Sequence, residues 1–282
     1  MNPTATAPSS APGNPAGHLG RFFYWVTSAL TLAIFAVVLV QQLTQLHLPG
    51  RPGWPDALLI FAATLSTLAA LTRKLPTQNV LLGAAVIALV GGIAHGFGAA
   101  TAIPFGPFAY TDRVGLRFLD TFAWMMPLVW VVAVLNSRGV ARLILRPWRK
   151  LRVYGFWLIG ITVALTVLFD AGLEPFAAVV KRYWLWQTTR IPVTWGSAPV
   201  SNFLGWLLTA LLIMAFATPA LIDKRQQRST NRPAEFHPLV LWVLAMLMFA
   251  VGAAQHQLWA AMIFCVVTSI LVTIFAVRGA RW

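Results

Sequence analysis

Apolar residues fall along the chain in eight long blocks, separated by short polar or Pro/Gly-rich connections. The blocks cover roughly residues 22–46, 54–71, 80–98, 116–135, 153–173, 203–222, 238–254 and 258–277. About 20 apolar residues in a helix cross the hydrocarbon layer. No water is available there, so each spanning segment must pair its own backbone groups. The pattern predicts an all-α, polytopic transmembrane helix bundle of about eight spans, the second and seventh being the shortest. Residues 1–18 are rich in Pro, Ala, Ser, Thr and Gly. They are expected to form a disordered tail and lack the basic start and short apolar core of a signal peptide. Residues 19–282 then make a single transmembrane domain.

Composition sharpens this picture. Of 282 residues, 59% are hydrophobic and 10% charged, where soluble domains carry roughly 25% charge. Net charge is +14, from 21 Lys and Arg against seven acids. The basic residues sit in the connections, which fits membrane topology and argues against a nucleic-acid partner. With the N-terminus cytoplasmic, the inner segments carry 15 Lys and Arg and the outer ones 6. That bias predicts both termini inside. Cys265 is the single cysteine, so no internal disulfide is possible and a packing role is expected.

Four of the seven acids, Asp112, Asp120, Asp170 and Glu174, cluster near the outer ends of the fourth and fifth spans. Acids at membrane depth are costly and serve a function or have a partner. Asp170 and Glu174 share one helix face if the helix continues, although Pro175 is expected to end it near Glu174. Two carboxyls this close in a dry place are expected to hold one proton between them, which suits acid–base chemistry. Alternatively, they lie at a solvated helix end and pair with Lys181 or Arg182. Asp120 is expected to pair with Arg117. The connection from Ile103 to Thr111 is rich in Pro, Gly and aromatics and either folds back into the membrane under protein cover or turns at the interface.

Aromatics crowd the next connection, at Tyr183, Trp184, Trp186, Trp195 and Trp206. They serve as interface anchors or as faces toward a cation. Asn202 opens an apolar run and either caps the helix or holds a water. His95 sits near the outer end of the third span, as a structural residue or a proton relay. With five histidines in total, no metal-ligand pattern is present, and no phosphate loop or dinucleotide fingerprint appears.

These segments resemble the integral-membrane carotenoid biosynthesis protein family, which includes carotenoid 1,2-hydratases. The resemblance is carried by Thr101-Ala-Ile-Pro-Phe105-Gly106 with Tyr110, Asp112, Gly115, Pro127 and Trp130. It continues with Leu168-Phe-Asp170, Glu174-Pro175 and Trp184-Leu-Trp186, then Gly196, Pro199, Asn202-Phe203 and Gly205-Trp206. His95 stands where the family commonly has Glu, Ala102 where Gly is usual, and Glu174 where Asp is usual. The resemblance implies a cofactor-independent hydratase that protonates the terminal C1–C2 double bond of an acyclic carotenoid end group and adds water. Asp170, Glu174, Asp112 and His95 would then be catalytic. Phe105, Tyr110, Trp184, Trp186, Asn202 and Trp206 would bind substrate, with no metal. The implied partners are a carotenoid or other long isoprenoid, the lipid bilayer, expected to be the bacterial cytoplasmic membrane, and other carotenoid-pathway enzymes. The alternative is a non-catalytic carotenoid- or lipid-binding membrane protein, or a transporter.

Overall fold

The computed structural model describes residues 15–46, 48–118, 122–189, 193–222 and 233–282. Its helices are α1 (Pro15–Thr44), α2 (Trp54–Thr72), α3 (Thr77–Thr101), α4 (Met126–Ile144), α5 (Tyr154–Glu174), α6 (Val200–Ala217), α7 (His237–Gln255) and α8 (Trp259–Ala280). Among the described residues, eight helices are long and apolar enough to cross a membrane. α1 starts at Pro15, inside the stretch read as a tail; residues 1–14 of that stretch lie outside the described residues.

Two boundaries beside prolines also differ from expectation. The fourth block does not begin its helix near residue 116. Arg117–Phe118 instead pairs with Phe122–Ala123 as a small hairpin, and α4 starts at Met126 with Pro127 in its first turn. That position suits proline, because its missing N–H would have no intrahelical partner. Nor does Pro175 end α5. Glu174 keeps helical angles, and Pro175–Val180 continues as a wider π-turn, closed by Lys181 N–H donating to the Phe176 carbonyl at 2.8 Å. Widening the turn redistributes the carbonyls a proline leaves unpaired. The continuous apolar span is therefore Tyr154–Val180.

α4 is the most enclosed helix and α8 the least; α4 packs against α2, α3, α5, α7 and α8. Polar contacts tie it in place. Asn136 donates to Thr67 at 3.0 Å, and Arg138 donates to the Leu221 carbonyl at 2.8 Å. Leu30, Leu32 and Val37 on α1, and Ile263, Val267 and Ile270 on α8, point outward, as lipid-facing positions should. Cys265 is buried and lies against Gly172.

The connections after α3 and α5 meet at one end of the bundle. Three two-stranded pairs form there, numbered in chain order as β1 (Phe108–Tyr110), β2 (Arg117–Phe118), β3 (Phe122–Ala123), β4 (Trp184–Trp186), β5 (Thr194–Trp195) and β6 (Ala198–Pro199). β1 runs antiparallel to β4, setting Tyr110 opposite Trp184 and Phe108 opposite Trp186. The Ile103–Thr111 connection is thus covered by protein in part: Phe105 and Phe108 are buried. Ala102 caps α3 in the left-handed conformation (φ 66°), which glycine adopts without steric cost.

Phe105 pins this cover to the bundle. A Cβ at Gly98 on α3 would lie 2.6 Å from its ring, and one at Gly205 on α6 would lie 2.5 Å from it. Gly205→Ala is therefore expected to lower stability in detergent by about 1–3 kcal/mol through overpacking, despite alanine's better helix propensity of about 1 kcal/mol. Gly160→Ala, with nothing within 4 Å, should be neutral or slightly stabilising. Thermal melts of the two variants check this pair.

Candidate active site

Asp170 and Glu174 sit one turn apart on α5, and both are almost wholly buried. Asn202, on the first turn of α6, bridges them. Its amide nitrogen donates to Asp170 Oδ2 at 2.9 Å and to Glu174 Oε1 at 3.1 Å. The helix N-cap is Pro199, so Asn202 joins the carboxyls instead of capping α6. Strand β4 supplies two more donors. Trp184 Nε1 reaches Glu174 Oε2 at 3.2 Å and Trp186 Nε1 reaches the same oxygen at 2.9 Å. Alternate strand residues share a face, which is how one short strand aims both indoles at one oxygen.

The pair is asymmetric. Glu174 accepts three N–H bonds, a set that suits an ionised carboxylate. Asp170 accepts one, and its Oδ1 is buried with no partner among the described residues. Buried polar atoms are normally paired, so an unpaired carboxyl oxygen is a candidate point for meeting substrate or carrying a proton. The Tyr110 hydroxyl is also buried, again with no partner among the described residues. Burial first, and then the nearby Glu174 carboxylate, push its ionisation up, so it stays a neutral phenol.

An aromatic layer continues from this cluster. Phe108 packs on Tyr110 and Trp186, each at 5.3 Å between ring centroids, and on His95 at 6.2 Å. His95 is buried. It accepts a hydrogen bond from Trp130 Nε1 at Nδ1 (3.1 Å), which leaves the ring proton on Nε2, and it lies 4.5 Å from the Phe105 ring. Trp206 stacks on Trp130 at 3.9 Å. Among the expected site residues, Asp170, Glu174, Asn202, Trp184 and Trp186 are joined by hydrogen bonds, and Tyr110 closes the group. His95, Phe105 and Trp206 form the next layer.

Asp112 stands apart from this hydrogen-bonded group. Its side chain is 96% exposed and pairs with Arg117 at 3.0 Å, because it opens a short 3-10 turn at the surface. The same Arg117 also donates to the Tyr110 carbonyl at 3.4 Å. The expected Asp120–Arg117 pair lies outside the described residues, at Asp120. The solvated-end alternative for Asp170 and Glu174 is corrected. Lys181 is engaged by Asp56 at 2.9 Å, and Tyr183 donates to the same carboxylate at 2.5 Å. Burial and Asp56 together push the Tyr183 ionisation up. Asp56 was not singled out in the sequence. The signal was there: few acids exist in this chain, and one in the first turn of a spanning helix needs a partner.

An apolar cavity of about 130 Å³ lies between α1, α2, α4, α5 and α7. Phe169 and Leu173, which alternate with the two acids along α5, line it, as does Trp184.

The fold and this cluster define a polytopic helical membrane protein with a dry carboxyl pair under an aromatic cover. The profile of the carotenoid biosynthesis protein family matches residues 55–274, and the chain belongs to that family. No curated protein and no solved structure gives a significant match.

Proposed function

We propose that the protein hydrates the terminal C1–C2 double bond of an acyclic carotenoid end group. One observation carries this reading: a buried carboxyl with an unpartnered oxygen, Asp170, bridged by Asn202 to a carboxylate that three N–H groups hold in place.

Asp170 gives its proton to C2, and the π electrons form the new C–H bond. The positive charge falls on the tertiary C1. Water donates a lone pair to C1, and the resulting oxonium returns one proton to the carboxyl pair. The balance is the alkene plus water giving a tertiary alcohol, with the acid regenerated. No electrons are exchanged. General acid catalysis of this kind contributes about 10²–10⁴-fold. Glu174 faces the developing cation as a preorganised anion, which is the larger contribution where water is excluded. The faces of Tyr110, Trp184 and Trp186 add cation–π attraction. His95 makes no hydrogen bond to either carboxyl among the described residues. It accepts from Trp130 and packs on Phe105, which supports the aromatic layer.

Expression in a lycopene-producing host tests the reading. A new, more polar, monohydroxylated or dihydroxylated pigment on chromatography is the expected result. Unchanged pigment from inserted protein overturns it in favour of a non-catalytic binder.

A further inference from the structure

We infer that the cavity between α1, α2, α4, α5 and α7 is the binding site for the terminal prenyl segment of a linear isoprenoid. The inference rests on the proposed reading for the identity of its occupant. Its wall is almost wholly apolar: Phe35, Ile60, Val129, Leu244 and Phe249 are typical. Apolar cavities of about 150 Å³ stay dry and take a benzene-sized molecule, so about 130 Å³ holds one prenyl unit of similar size. A ring-ended chain, bulkier at its terminus, does not fit without rearrangement.

Location points to the same occupant. The cavity lies beside the carboxyl pair: neither acid is in its wall, but their α5 neighbours Phe169 and Leu173 are, and Trp184 belongs both to the wall and to the donors on Glu174. One end is closed by polar groups, where Asp56 is held by Lys181 and Tyr183. The α1–α7 seam offers a side approach. It is fastened at one end by Gln42 and Gln255, through Gln42 Nε2 on the Met248 carbonyl (3.3 Å) and Gln255 Nε2 on the Gln42 carbonyl (2.9 Å). At the other end Tyr24 packs on His237. Between these fastenings, cavity residues come from both helices, and α1 and α7 also carry outward-facing apolar side chains.

The test measures binding separately from turnover. Lycopene is titrated into the purified wild type in detergent, with tryptophan quenching as readout, alongside Ala63→Trp and Ala245→Trp, which fill the cavity. Each variant is expected to raise Kd at least tenfold. Unchanged Kd in both overturns the inference. Leu244→Ala serves should the filled variants fail to fold, since it enlarges the cavity. It should narrow the wild-type preference for lycopene over the ring-ended β-carotene by about fivefold; an unchanged ratio overturns the inference. Lost binding in the filled variants with no hydroxylated product from wild type would retain the cavity and reject hydration. Normal hydration with unaltered binding would do the reverse.

Discussion

Asp170→Asn should abolish the hydroxylated pigment while leaving the protein inserted and folded. The amide oxygen can still accept from Asn202, which donates to Asp170 Oδ2 at 2.9 Å, so the bridge survives. What disappears is the transferable proton, and the expected loss is at least the 10²–10⁴-fold of general acid catalysis. Pigment chromatography, normalised to protein in the membrane fraction, reads the result. Turnover equal to wild type would remove Asp170 from the mechanism.

Glu174→Gln should be nearly as damaging, for a different reason. Both oxygens of Glu174 accept, from Asn202, Trp184 and Trp186. A glutamine must turn an NH₂ toward at least one of these donors. A buried donor left unsatisfied costs about 1–3 kcal/mol, so the melting temperature should fall along with activity. Glu174→Asp keeps the acceptors and the charge but shortens the reach by one methylene. It should lose far less activity than the glutamine variant. The contrast between the two separates charge from shape. Equal activity in both variants would show that the anion at this position is dispensable.

Much of the architecture could be read from the chain, because hydrocarbon imposes one demand on every segment. Eight apolar blocks gave eight helices of spanning length. Errors arose where proline acted locally. Pro127 starts α4 ten residues later than the apolar block suggested, and Pro175 widens a helix it was expected to stop. Hydropathy alone does not distinguish these outcomes, since Leu116, Phe118 and Phe122 are as apolar in a hairpin as in a helix.

For the site, the four-residue spacing of Asp170 and Glu174 was legible, as was the aromatic density after α5. The bridging role of Asn202 was not, because capping and bridging place the same residue at the same helix end. The exposure of Asp112 was not legible either, because proximity in sequence to Tyr110 says nothing about which face of a turn a side chain takes. Asp56 was overlooked because its partners Lys181 and Tyr183 lie 125 and 127 residues away. The cavity has no sequence signature at all, since it is assembled from five helices.

The two indoles that meet on one carboxylate oxygen have a consequence for how this chain can change its length. Trp184 and Trp186 project to the same side only because they are separated by one residue on a strand whose partner, β1, fixes its alignment. Inserting or deleting a single residue between the π-turn and Trp184 would reverse the sides of that strand and carry both N–H groups away together. The length of this short linker is therefore set by the site, and a one-residue insertion there should cost more than one in a turn that bears no such paired duty.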